Sequence, residues 1–386
     1  MGSAFLRLAL LLSLLALFSG CRATPALSPN YREFAYVTNG DSDTVTAIDL
    51  RGLRVASTIH VGKSPTGIAA NPARNEIYVA NTDSNNISII DAESNKVVST
   101  IGVHRAPFFV DVSADGNRAY VANSGSANLS VIDLNQRKVI RTIQVGNGSN
   151  LARSTRDGKL VLVVLRSENS VAVIDAASLN MRSKITVCAK PEEMGLLPDS
   201  SKAFITCPSS DQVAVVDLKH DSLLALLDVG KTPIYVAVKP DGGEVFVCNF
   251  NSSSVSEIIS NSNEVNGSFL IGNQPVRALI SRDNALLFVS NFGSDSVALY
   301  SIDNGKWIGS ADVGHGPEAM ALSPNELLLL VVNTASGDLT ALELTDSKGQ
   351  TRAQGPSRTP TFPVATMIPL GKSPRAIVVK AFVSQK

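Results

Sequence analysis

The sequence predicts an all-β protein, a β-propeller of eight four-stranded antiparallel blades, and three observations carry that prediction. An asparagine recurs every 42 residues, at Asn39, Asn81, Asn123, Asn249, Asn291 and Asn333, with Leu165 and Cys207 in the two remaining slots. A proline keeps the same spacing at Pro65, Pro107, Pro191, Pro233, Pro275 and Pro317, with Ser149 in the vacant slot. Each unit also holds four short apolar runs, which in the second unit are Ile77 to Ala80, Ile87 to Ile90, Val97 to Ile101 and Phe108 to Val112. Runs this short, rich in β-branched and aromatic residues and spaced by about ten residues, are strands. Four strands in a unit of about 40 residues, repeated around a ring, make propeller blades.

The blade number follows from where the period slips. Pro374 comes 57 residues after Pro317, which is 15 more than the period. Removing that insertion leaves about 334 residues between Phe34 and Phe382, close to eight units of 42. A seven-bladed ring is the alternative and would leave one unit outside. With the strands of a blade lettered a to d from the proline onward, the chain opens on a b strand at Phe34 and closes on an a strand, Arg375 to Lys380. Pairing these two closes the ring and removes the free sheet edges. The propeller is thus expected over 34–386 as a single domain. Residues 346–361, rich in Gly, Ser, Pro and Thr and carrying Lys348, Arg352 and Arg358, are expected to form a flexible loop between strands c and d on the bottom face.

The turns follow the same period. Asp115-Gly116, Asp157-Gly158 and Asp241-Gly242 share the slot between strands a and b, where a tight hairpin needs residues tolerant of positive φ. Asp49, Asp91, Asp133, Asp175 and Asp217 close strand c and read as turn formers on the bottom face rather than as an acidic ring. The asparagine is expected to brace the turn after strand b, and the Gly of Val-Gly-x-x-Pro to supply an unusual backbone angle. Neither is expected to be a ligand site.

Composition narrows the class. Hydrophobic residues make up 44% and charged ones 18%, which fits many largely buried strands and excludes a disordered chain. Lys plus Arg equals Asp plus Glu at 34 each, so no global field attracts a polyanion and no nucleic-acid partner is expected.

The N-terminus reads as an export signal. Arg7 precedes the apolar run Leu8 to Phe18, then Ser19-Gly20-Cys21. Its 11 apolar residues fall short of the roughly 20 that span a bilayer. The end resembles the bacterial lipoprotein cleavage box, with Phe18 in place of the usual leucine. That resemblance implies a signal peptide over 1–20, lipidation of Cys21 and a tether over 21–33. Arg22 in place of an aspartate implies the outer membrane. Cleavage near Ala23 is the alternative, giving a periplasmic or secreted protein.

Cys188 occupies the glycine slot of its unit and Cys207 the asparagine slot of the same unit. Strand a runs down and strand b runs back up, so the two meet at the top within reach of a disulfide. Two free thiols are the alternative. Cys248 reads as a small core residue. No two of the four histidines are close in sequence, and His104 and His315 fall in blades far apart, so no metal site is expected. No cofactor motif is present either.

Tyr36-Val37-Thr38-Asn39, Tyr78-Val79-Ala80-Asn81, Tyr120-Val121-Ala122-Asn123, Phe246-Val247-Cys248-Asn249 and Phe288-Val289-Ser290-Asn291 resemble the tetrapeptide that names the YVTN-repeat β-propeller family. The resemblance covers nearly the whole mature chain. It implies a secreted or surface-associated binding module without a shared catalytic constellation.

Function is sought where the units depart from their own consensus. The two residues after the proline slot begin the innermost strand at the channel mouth, and they diversify: Phe108-Phe109, Asn150-Leu151, Glu192-Glu193, Val276-Arg277, Glu318-Ala319 and Arg375-Ala376. The candidate binding residues are Arg105, Phe108, Phe109, Lys190, Glu192, Glu193, Arg277, His315, Glu318 and Arg375 on the top face. The expectation is a monomeric, envelope-anchored, non-enzymatic module that binds a protein, peptide or glycan there. The alternative is a secreted propeller enzyme, a lactonase-like hydrolase or a quinone- or haem-linked oxidoreductase.

Overall fold

The structure, a computed structural model, describes residues 28–344 and 362–384. The expected signal peptide, Cys21, most of the tether and the insertion at 346–361 lie outside the described residues. Within them, 32 strands form eight separate four-stranded sheets, each antiparallel and ordered from the centre outward. Blade 1 is typical, with strand a at Pro65–Ala70, b at Glu76–Asn81, c at Asn86–Asp91 and d at Lys96–Gly102. Blades 2 to 7 follow with inner strands beginning at Pro107, Ser149, Met194, Pro233, Pro275 and Pro317. Eight blades are present, not seven.

Blade 8 is assembled from both ends of the chain. Its inner strand is Pro374–Val383 and its second strand is Tyr31–Asn39, paired from Tyr31 opposite Val383 to Asn39 opposite Pro374. The propeller therefore starts three residues before the expected boundary, because Tyr31, Arg32 and Glu33 find partners in Val383, Phe382 and Ala381. The inner strand of blade 8 also packs on that of blade 1, which closes the ring.

The core lies between blades rather than within one. Phe34, Tyr36, Val45, Ala47 and Ile59 of blade 8 pack against Ile68, Ile77, Val79, Ile90 and Ala92 of blade 1, and seven similar clusters fill the other interfaces. Strands b and c, buried on both faces, consequently read as continuous apolar runs. A side chain such as Ile77, with no exposed surface, contributes roughly 1.5–3 kcal/mol. Where strand c ends on an Asp, that Asp caps the turn: Asp133 Oδ1 accepts from the amides of Asn135 and Gln136, both at 2.8 Å.

Five asparagines of the comb stitch strand b to strand c, while Asn291, with Ala298 at the second acceptor position, donates to the Ile271 carbonyl at 3.3 Å. Asn39 Nδ2 donates to Thr44 and Thr46 at 3.0 and 2.9 Å, Asn81 to Asn86 and Ser88 at 2.7 and 2.9 Å, and Asn249 to Ser254 and Ser256 at 3.2 and 2.9 Å. Where the asparagine is replaced by Leu165 or Cys207, the second acceptor position holds Ala172 or Ala214.

The glycine slot has a second cause besides the expected backbone angle. A Cβ on Gly62 would lie 2.7 Å from that of Asn81, and one on Gly371 would lie 2.7 Å from that of Asn39. At Gly62 and Gly371 glycine makes room for the asparagine that packs on it, whereas Gly146 and Gly272 in the same slot do take the expected positive φ, 133° and 154°. The left-handed angle falls two residues later, on the residue before the proline, with φ of 53° at Ser64, 52° at Ala106 and 57° at Thr232. In blade 4 a disulfide between Cys188 and Cys207, Cα atoms 5.8 Å apart, occupies the place of the Gly–Asn contact. It sits beside an inner strand reduced to Met194–Leu196. Cys248 is fully buried.

Candidate functional site

The top-face loops are largely committed to holding the blades together. The amide of Ser64 donates to Asp43 Oδ1 of the preceding blade at 2.8 Å, while that of Lys63 donates to Ser84 Oγ of its own blade at 2.7 Å. The same pattern recurs at Ala106 with Asn85 and at Arg105 with Ser126. Polar groups in these loops therefore brace backbone, and the free chemistry moves inward to the inner strands.

Two channel cavities open among the inner strands. The upper one, at the mouth, has a volume of about 280 Å³ and is walled by Phe108, Phe109, Tyr235, Arg277, Glu318 and Arg375 over an apolar floor including Ile68, Leu279 and Met320. The lower one, about 520 Å³, is reached by Asp111, Arg153, Ser154 and Arg156. Tyr235 and Leu279 line both.

A charged network joins them across three blades. Glu193 accepts from Arg153 Nη2 at 3.0 Å through Oε1 and faces Arg277 Nη1 at 3.5 Å through Oε2. Each guanidinium also lies over a ring, Arg153 at 5.2 Å from the centre of Phe109 and Arg277 at 4.6 Å from that of Tyr235. Burial pushes the Glu193 carboxyl up, but Arg153 and Arg277 outweigh it and hold the carboxyl below its ordinary value. At Asp111 burial wins: its pKa is raised although Ser154 donates both its amide, at 2.8 Å, and its hydroxyl, at 2.6 Å. Burial drives the Cys248 thiol up to about 12 against the lowering charge of Arg277, so it stays neutral.

Of the residues expected at the mouth, the structure gathers Phe108, Phe109, Arg277, Glu318 and Arg375 in the upper cavity, with Glu193 bound to Arg277. Glu192 turns outward to Arg166 at 3.8 Å. Arg105, Lys190 and His315 are exposed on the surrounding loops and none lines the cavity. His315 Nδ1 is 2.7 Å from Asp295 Oδ2, whose hydrogen bond and charge raise the imidazole pKa. The aromatic Tyr235 and the charged pair Asp111 and Arg153 are additions. Their signal was in the sequence: Tyr235 fills the same slot as Phe109 and Arg277, and two residues further along Asp111 and Arg153 interrupt a slot otherwise holding Ala69, Gly195, Ala237, Leu279, Ala321 and Val378. Among the described residues no group of His, Cys, Asp and Glu is arranged to hold a metal, and no helix is long and apolar enough to cross a membrane.

Comparison with known proteins places this site on a widely used scaffold. A family model described as YNCE-like beta-propeller matches residues 29–152, and one for lactonases of the seven-bladed β-propeller type matches residues 263–362. No curated protein matches the chain. Among solved structures, the dihydro-heme d1 dehydrogenase NirN in complex with DHE superposes with a TM-score of 0.73 at 13% identity, over 89% of this chain and 74% of that one. Hydrazine synthase of Kuenenia stuttgartiensis gives 0.58 at 20% identity, over 69% and 91%. A functionally unknown protein from Desulfotomaculum acetoxidans gives 0.59 at 16% identity, over 90% and 98%. At these identities the likeness is one of fold alone.

Proposed function

We propose that this β-propeller is a non-enzymatic binding module of the cell envelope that takes its partner at the mouth of the central channel. The observation that carries the reading is the upper cavity itself. Its walls come from strands of blades 1, 2, 5, 6, 7 and 8, and they set aromatic rings beside guanidinium groups that the fold leaves accessible. Buried aromatics and arginines are the side chains that dominate recognition energetics. The framework around them is rigid, since every neighbouring loop is tied to the next blade, so little ordering cost attends binding.

Export and anchoring through Cys21 belong to the same proposal. The Cys188–Cys207 disulfide supports it, because such bonds persist in oxidising compartments. Labelled palmitate should enter the wild-type protein and not Cys21→Ala; lipid-free protein in both would remove the anchor.

Photo-crosslinking in intact cells tests the binding site. A crosslinker at Phe108 should capture a protein, peptide or glycan partner that one at Leu224, exposed on the outer wall, does not. Equal capture from both positions would defeat the proposal. The lactonase match favours a second reading, a propeller hydrolase. Release of acid from a lactone panel, abolished by changes at Glu193 or Arg277, would establish that reading instead.

A further inference from the structure

We infer that the mouth cavity binds the carboxylate of a small, flat organic acid, with Arg277 and Arg375 as the anion-binding groups and Phe108, Phe109 and Tyr235 as the wall for its apolar body. The inference rests on the reading of the mouth as a binding site and names the chemistry of what enters it. Donors there outnumber acceptors. Among the described residues Arg375 has no hydrogen-bond or ion-pair partner, and its guanidinium lies over Gly40, where a Cβ would come within 2.7 Å of Nε. Arg277 reaches one carboxylate oxygen, at 3.5 Å, and otherwise rests on the Tyr235 ring. Each guanidinium carries five N–H donors in a planar fork that matches a carboxylate. Against these two guanidinium groups the cavity wall sets one carboxylate, Glu318, whose Oε2 is 2.9 Å from a Thr334 hydroxyl shared with the Pro374 carbonyl at 2.8 Å. A ligand that completes this set must bring acceptors.

The size and the walls fix the rest of the ligand. A cavity of about 280 Å³ has room for roughly nine waters, or a comparable number of non-hydrogen atoms. Phe108, 40% exposed, stands at the rim, whereas Phe109 and Tyr235 are half-buried beneath the two channel arginines. A planar apolar body fits between these rings while its carboxylate takes the free N–H groups of Arg277 and Arg375. The Arg277–Glu193 contact is long enough to be exchanged for a shorter bond to the ligand.

Isothermal titration of the purified, folded protein with benzoate, benzamide and benzylamine tests this. Benzoate should bind, with the neutral amide and the amine weaker by about tenfold or more, the worth of a charge-assisted bidentate contact. Arg375→Gln should weaken benzoate with little change in the unfolding midpoint, because the Arg375 guanidinium makes no hydrogen bond or ion pair among the described residues and only covers Gly40; Arg277→Gln should weaken it further. No benzoate binding at millimolar concentration, equal binding of benzamide, tighter binding of benzylamine, or benzoate affinity unchanged in both variants would each overturn the inference. If crosslinks at Phe108 capture a partner while benzoate does not bind, the inference fails and the binding module stands. Arginine-dependent benzoate binding without any captured partner would keep the mouth as a binding site for a small acid and remove the protein, peptide or glycan partner.

Discussion

Reduction of the Cys188–Cys207 disulfide should lower stability by about 3 kcal/mol. The residues are 19 apart in sequence, so oxidation removes from the unfolded chain the freedom of a loop of about 20 residues, which the chain-entropy relation converts to that figure. Reduction leaves both sulfur atoms in place in buried surroundings, Cys188 6% exposed and Cys207 fully enclosed, so no cavity term is added. With a urea slope of about 3 kcal/mol/M, the midpoint should fall by about 1 M. Equilibrium urea curves of the oxidised and the reduced, alkylation-free protein measure this directly. Coincident curves would refute the reasoning and show that blade 4 does not limit global stability. A second variant probes the replacement logic: Cys188→Gly with Cys207→Asn and Ala214→Ser rebuilds the Gly–Asn contact and a hydroxyl acceptor like that in blade 5. It should recover about 1–2 kcal/mol relative to the reduced protein, the worth of the restored hydrogen bonds. A triple variant no more stable than the reduced chain would show that the slots are not interchangeable.

Three further outcomes are expected. Asn249→Leu should cost about 1–3 kcal/mol, since it takes the Asn249 donor from the buried Ser256 hydroxyl while Ser254 keeps Ser252 as partner, and Ser256→Ala in the same chain should cost less than the two changes added separately; strict additivity in thermal or urea unfolding would disprove the stitch. Glu193→Gln should cost about 2 kcal/mol at neutral pH, discounted for the solvent that reaches both arginines. Because the folded Glu193 pKa is depressed, that stability is present above the unfolded value of about 4.3 and is lost as pH falls through the folded one. The gap between variant and wild type should therefore close in acid, and a pH-independent gap would contradict the assignment. Cys248, fully buried with its thiol at about 12, should resist iodoacetamide at pH 8 in the native protein and react on unfolding, as read by peptide mass spectrometry; rapid native labelling would exclude the packing described.

Much of the molecule was legible in the chain because a closed ring of identical units leaves the same mark in each. The place of Asn39, Asn81 and their successors was read from spacing alone, although they bond side chains of strand c rather than bracing the turn as expected, and the joining of Tyr31–Asn39 to Pro374–Val383 followed from which strand each terminus lacked. The glycine slot was located by sequence but only half explained: Gly146 and Gly272 take the unusual angle, while only packing shows that Gly62 yields space to Asn81. The site divided in the same way. Departures from consensus pointed to Phe109, Glu193 and Arg277. Arg105, Lys190 and His315 lie on loops just before the same proline slot, where their amides are held by Ser126, Asn169 and Ser336 and their side chains stay exposed outside the cavity, a placement set by tertiary contacts rather than by spacing.

The sequence by itself determined the strand pattern, the blade count and the closure, all of which are local or periodic properties repeated often enough to be read without coordinates. The tertiary structure decided which deviant residues meet. Arg153 and Arg277 lie on the inner strands of blades 3 and 6 and Glu193 immediately before that of blade 4, and Phe108 and Arg375 are 267 positions apart by their numbering. Their convergence on one channel mouth depends on ring curvature, a property that no single 42-residue unit contains.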